Sequence, residues 1–248
     1  YIKSMSSVIT FSPAHTVVPT YECFNRCSYC NFRLDPEADD SLTKSDLLDI
    51  LKQLDIERVA EILVLSGEVH PESNRRIKWF TKVKEICELA LSFGFLPHTN
   101  VGPLSWPEME QLKKVNVSMG LMLEQINPQF MQTVHKYAPS KEPKLRSQQL
   151  EWAGKLKIPF TTGILLGIGE TQSDIRDSLE EIARIHQKWG HIQEVILQPH
   201  SVGTKQVLNA PSFDPQQLPV IIAQAKMILP SEIAIQIPPN LVPDASFL

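Results

Sequence analysis

The chain has no long run of one charge, no internal repeat, no glycine-serine linker and no apolar stretch near the roughly 20 residues that cross a bilayer. Each absence excludes something. The 24 basic and 28 acidic residues, net −4, are interspersed, which argues against a nucleic acid or an anionic membrane recognised by bulk charge. The start, Tyr1-Ile2-Lys3-Ser4-Met5, lacks the apolar core of a signal peptide, so a cytoplasmic location is expected. A first residue other than Met suggests a segment of a longer product. Cysteine is scarce, four in 248 residues, without the scattered pairs of a disulfide framework.

Three of the four cysteines are concentrated in one place, Cys23-Phe24-Asn25-Arg26-Cys27-Ser28-Tyr29-Cys30, a CxxxCxxC. Three thiolates can hold a cubane 4Fe-4S cluster and leave one iron open to a ligand that is not protein. A structural zinc site fits less well, because it wants four ligands in CxxC pairs and no second pair exists. Cys87 falls on an apolar helical stripe and reads as a small buried hydrophobe rather than a fourth ligand. A noncatalytic iron-sulfur or zinc scaffold, or an electron carrier, is the alternative from another class. A carrier, however, usually closes all four irons with protein.

Apolar runs at 16–21, 61–65, 95–98, 116–123, 159–166, 193–198 and 233–237 read as strands, several too uniformly apolar for one wet face, as in a parallel sheet. Helix starts lie between them: Thr43 with Asp46, Ser105 with Glu108, Thr171 with Asp174, and Asp214 before Pro215. A helix over about 73–93 puts Trp79, Val83, Ile86, Cys87, Ala90 and Phe93 on one stripe, and the next puts Ile175, Leu179, Ile182 and Ile185 on another. Seven strands and six helices in alternation predict an α/β fold, a parallel (β/α) barrel of the TIM type, open or incomplete, in one domain over 1–248.

In such a barrel the chemistry collects on the loops after the strands. Here those loops carry the three cysteines, then Ser66-Gly67-Glu68, His98-Thr99-Asn100, Glu124, Gly167-Ile168-Gly169-Glu170 and Gln198-Pro199-His200. Taken singly, a glycine there is a turn and Glu170 is a helix cap. His98 and His200 divide between a packing role and a proton-handling one, His135 and His186 read as satisfied core histidines, and Tyr21 and Trp189 read as packing.

A CxxxCxxC on the first loop, with Tyr29 before the last cysteine, resembles the radical S-adenosylmethionine (SAM) superfamily. The resemblance implies a 4Fe-4S cluster on Cys23, Cys27 and Cys30, with SAM on the open iron. Ser66-Gly67-Glu68 resembles the turn that receives the SAM ammonium, with serine for the first glycine. Glu124 matches a polar residue on the adenosine ribose, Gly163 to Glu170 resembles the GxIxGxxE strand beside the adenine, implicating Gly167 and Ile168, and Arg146 has the spacing of an arginine that pairs with the SAM carboxylate. The runs 96–102, 115–124 and 138–141 resemble the CofG subunit family of deazaflavin (FO) synthases, which continues beyond residue 248. That likeness implies closure of a third ring on an adduct supplied by the partner CofH, with a low-potential electron donor such as ferredoxin or flavodoxin. Gln198-Pro199-His200-Ser201 departs from the family's pattern at strand six.

Overall fold

The computed structural model describes residues 10–39 and 41–241; Tyr1 to Met5 lie outside them. Seven strands, β1 (Ala14–Val17), β2 (Glu61–Leu65), β3 (Leu96–Asn100), β4 (Ser118–Gly120), β5 (Phe160–Leu166), β6 (Ile192–Pro199) and β7 (Ala234–Gln236), form one sheet. Their spatial order is their chain order and every neighbouring pair is parallel. β1 and β7 stay at the two edges, so the sheet is an open α/β barrel. Six helices make the crossovers: α1 (Lys44–Gln53), α2 (Arg76–Ser92), α3 (Trp106–Leu112), α4 (Pro143–Lys155), α5 (Gln172–Trp189) and α6 (Leu218–Ile228).

Local chemistry accounts for most helix starts. Thr43 with Asp46 and Thr171 with Asp174 form reciprocal capping boxes, and Ser105 N donates to Glu108 at 2.7 Å. The start at Asp214 differs from expectation: Asp214 accepts from Gln216 N over a 3-10 turn, Pro215–Gln217, and α6 begins only at Leu218. The first strand also sits earlier than expected. Pro19 has no N–H to offer a ladder, and the chain has already left the sheet by Val18.

The core is one-sided. Ile62 and Val64 of β2, Met119 of β4, and Val195 and Leu197 of β6 join the α2 stripe (Trp79, Val83, Ile86, Cys87, Ala90) in one buried cluster, which also takes in Ile175, Leu179, Ile182 and Ile185 of α5. Several alternate strand residues on the concave side stay partly open, Glu61, Leu63 and Leu65 on β2, Asn100 on β3, Glu194, Ile196 and Gln198 on β6, while His98, Ser118, Thr161 and Leu165 on that side are buried. In a closed barrel those positions form packed layers. Here the open sheet leaves several of them uncovered.

Candidate active site

The cysteine loop is a closed excursion from the end of β1. Leu34 N donates to Tyr21 O at 2.9 Å and Cys23 N to Leu34 O at 3.3 Å, which draws the two ends together. Other loops brace it from three sides. Phe24 N donates to Glu68 O (3.0 Å), Arg26 N to Tyr137 O (2.7 Å) and Ser28 N to Val134 O (3.0 Å), while Ser28 O accepts from Val207 N and Leu208 N (2.8 Å each).

Cys23, Cys27 and Cys30 are free and half-buried. Burial, then Glu68, pushes the Cys23 thiol up, and burial, opposed by Lys141 and helped by Glu124, pushes Cys27 up to about 11. Only a cationic centre turns such thiols into thiolates near neutrality. Among the described residues no three His, Cys, Asp or Glu side chains converge on a single metal ion. In a cubane each thiolate takes a different iron, so the donor set fits a cluster better than one ion.

The β2 loop is fitted against this excursion. A Cβ on Gly67 would lie 2.0 Å from Glu22 O, so only glycine allows the two backbones to pass. Ser66 Oγ accepts from Trp79 Nε1 (2.9 Å) and donates to Gly67 O (2.8 Å). Glu68 is buried, and Gly102, at φ +86°, leaves room for its side chain.

Around Glu68 lies a buried charged network. Arg146, 1% exposed, donates from Nη2 to Glu68 Oε1 (2.8 Å), from Nε to Ser140 O (2.8 Å) and from Nη1 to Met122 O (3.2 Å). Asn25, between two of the cysteines, donates to Glu68 Oε2 (2.8 Å) and Ser140 Oγ (2.9 Å), and Ser140 Oγ also donates to Glu68. Next to it Lys141 Nζ meets Glu124 Oε1 at 2.5 Å. Burial alone would raise both carboxyls. For Glu68, Arg146 and Lys141 outweigh it; for Glu124, Lys141 and Arg146 do, so both are held below the usual carboxylate range. Glu124 is held at φ +68°, with its N–H on Gly163 O and its carbonyl accepting from Leu165 N. Two buried anions face two cations, Arg146 buried and Lys141 half-buried.

Tyr29 OH meets His135 Nε2 at 3.1 Å, and the Tyr29 ring packs on Ile168, Leu165, Phe130 and Val134. Burial raises the Tyr29 hydroxyl well above its ordinary value. Glu170 does not cap α5. Its carboxylate turns back to accept from Gly167 N (2.6 Å) and Ile168 N (2.8 Å), fixing the β5 loop, while Thr171 caps the helix.

The two histidines singled out from the sequence part company. His98 is buried on the sheet with Nδ1 on Ser118 Oγ (2.6 Å), and burial pushes it down to about 4. His200 is held inside the loop after β6, by Pro211 O (3.3 Å) and Gln206 Oε1 (3.1 Å). Tyr21 is 41% exposed rather than packed, because its strand has already ended. His135 reads as core in the sequence but sits on Tyr29. Asn25, Ser140 and Lys141 carry no sequence signal of their own; Ser140 and Lys141 lie in the run 138–141, and nothing in that run shows whom they pair with.

The family model for the radical SAM superfamily matches residues 17–182. A curated 7,8-didemethyl-8-hydroxy-5-deazariboflavin synthase from Trichormus variabilis is 61% identical over 246 residues, 99% of this chain and 72% of that protein. The chain belongs to the radical SAM superfamily and to its FO synthase family. A synthase of the same name from Gloeobacter violaceus is 55% identical, over 95% of this chain and 74% of its own length. Among solved structures, the FeFe-hydrogenase maturase HydG from Carboxydothermus hydrogenoformans superposes with a TM-score of 0.79 at 22% identity, over 95% of this chain and 56% of that one. Methylornithine synthase (PylB) does so at 0.69 and 13%, over 90% and 63%. These two likenesses concern the fold. As a radical SAM protein the chain uses a 4Fe-4S cluster and SAM. No helix among the described residues is long and apolar enough to cross a membrane.

Proposed function

We propose that this FO synthase family member closes the deazaflavin ring. Its substrate is the 5-amino-5-(4-hydroxybenzyl)-6-(D-ribitylimino)-5,6-dihydrouracil adduct supplied by CofH, and its product is FO, formed with loss of ammonia in a carbon-nitrogen lyase reaction. When bound, the cluster and SAM supply a 5'-deoxyadenosyl radical. The substrate would lose a hydrogen atom from its benzylic bridge to that radical, giving 5'-deoxyadenosine, and ring closure would release ammonia, a proton and one further electron, for which the oxidised iron-sulfur cluster would be the acceptor. A ferredoxin or flavodoxin supplies the low-potential electron.

Each residue has a part in this reading. Cys23, Cys27 and Cys30 ligate the cluster, and the turn Ser66-Gly67-Glu68 offers backbone carbonyls to the SAM ammonium. Arg146, already oriented by Glu68, meets the SAM carboxylate. Glu124, held by Lys141, takes the ribose hydroxyls, and Tyr29, Gly167 and Ile168 border the adenine. His98 handles substrate inside the sheet, and His200 orders the loop after β6.

The observation that carries this reading is 61% identity to a named FO synthase over nearly the whole chain, together with a braced three-thiol loop beside the buried Glu68-Arg146 network. The test is anaerobic incubation of reduced, reconstituted full-length enzyme with SAM and the adduct, followed by assay for fluorescent FO and 5'-deoxyadenosine. Both are expected. Deoxyadenosine without FO would keep the radical chemistry and reject the substrate.

A further inference from the structure

The concave face of the sheet is polar at its base, where a packed barrel would carry branched aliphatic layers. His98 on β3 is 6% exposed, and Nδ1 meets Ser118 Oγ of β4 at 2.6 Å. Its Nε2 lies over Gly120 and has no hydrogen-bond partner among the described residues. Glu61 Oε1 of β2 stands 4.0 Å from the same ring, while Oε2 accepts from Ser12 Oγ at 3.1 Å. Across the sheet, Thr161 of β5 pairs in register with Glu194 of β6. Burial, then the charge of Glu61, raises the Glu194 carboxyl, with the Thr161 hydroxyl opposing.

Depth follows from strand geometry. His98 is two residues before the end of β3, Glu61 four before the end of β2, and Thr161 and Glu194 five before the ends of β5 and β6, so the group runs from about 7 Å to about 17 Å below the mouth where the cysteine loop sits. The chemistry of the lining selects the ligand. Two carboxylates repel a phosphate, and an apolar chain would leave Glu61 Oε1 and His98 Nε2 without partners. A chain of hydroxyls supplies a donor and an acceptor at each carbon, matching carboxylates, imidazole and hydroxyls together.

We propose that Glu61, His98, Ser118, Thr161 and Glu194 form a subsite for a polyhydroxylated chain, which on the reading above is the ribityl arm of the substrate. The arm runs down the concave face of the sheet and leaves the reacting carbon at the mouth. These residues set specificity and position the substrate.

The test uses full-length enzyme and two unreactive probes, 5-nitro-6-(D-ribitylamino)uracil and 5-nitro-6-(methylamino)uracil, with affinities measured by calorimetry. Wild type is expected to favour the ribityl probe about tenfold, the worth of a hydrogen bond or two to charged groups. Glu194→Gln should shrink that preference to about twofold, and the isosteric Thr161→Val should shrink it in part should the first variant fail to fold. Equal affinity of wild type for both probes, or a preference that survives both variants, overturns the subsite. Tighter binding of a 6-(aminoalkyl)amino probe than of the ribityl one also overturns it, in favour of a cation site. If the ribityl preference holds while no FO forms from the adduct, the reaction assignment fails and the subsite stands.

Discussion

Arg146 Nη2 donates to Glu68 Oε1 at 2.8 Å, and Ser140 closes the pair from both sides, its hydroxyl on the carboxylate and its carbonyl on Arg146 Nε at 2.8 Å. Removing one partner leaves the other charge buried and alone, which costs about 3–5 kcal/mol. Arg146→Met should therefore lower the urea midpoint by that equivalent. Glu68→Gln combined with Arg146→Met should cost less than the sum of the single changes, because neither charge is then stranded. Additive losses would show that the two side chains are not coupled.

Acid should expose the same pair. Glu68 titrates below its ordinary 4.5 in the folded chain, so the unfolded chain binds its proton first as pH falls. Its stabilising contribution is complete above 4.5 and is lost as pH drops through the folded value. Comparison of wild type and Arg146→Met by unfolding from pH 6 to pH 3 should show a shallower decline in the variant. Parallel curves would rule the pair out as the source.

His98 acts in a different window. Its folded value, about 4, lies below the ordinary 6.5, so between those limits the unfolded chain holds more protons and stability rises with pH. The contribution is complete above 6.5, declines as pH falls towards 4 and amounts to about 1–3 kcal/mol. His98→Gln should flatten stability over that interval, and an unchanged slope would place the titration elsewhere.

Cys27→Ala leaves two thiolates, and reconstitution should yield less than one cluster per chain, measured as iron, sulfide and visible absorbance. Cys87→Ala should reconstitute fully, because Cys87 is buried on α2, where burial pushes its thiol up to about 12, and its side-chain partner is Asn116. Loss of the cluster in the Cys87 variant would overturn the ligand set.

Gly67→Ala places a methyl 2.0 Å from Glu22 O, and the backbone must yield. The predicted result is a destabilised chain with impaired cluster assembly, read from thermal unfolding and from iron content. Full occupancy would mean that the β2 loop can retreat from the cysteine excursion without harm.

What could be read from the sequence was local. β2 occupies Glu61–Leu65, the bounds of its apolar run, and Thr43 with Asp46 announces α1 within four residues. The three cysteines declared themselves by spacing. The partners of Glu68 could not be read, because Arg146 stands 78 residues away and Ser140 72, and only the sheet brings them together. Glu170 misled for the opposite reason: a glutamate just before Thr171 looks like a helix cap, yet positive φ at Gly167 and Gly169 curls the loop so that the nearest unpaired N–H groups are those of Gly167 and Ile168. His135 looked like core since burial and site membership give the same apolar surroundings in sequence.

Because the larger apolar core lies between the sheet and its helices, most folding free energy is drawn from the convex side, while partly open concave residues such as Ile196 and Gln198 contribute less. Substitutions at those positions should then change the concave lining at small cost to the fold. An ancestor with this architecture could change substrates one strand position at a time without crossing a stability threshold. Gln198, the first residue of the departure at strand six, is on that side.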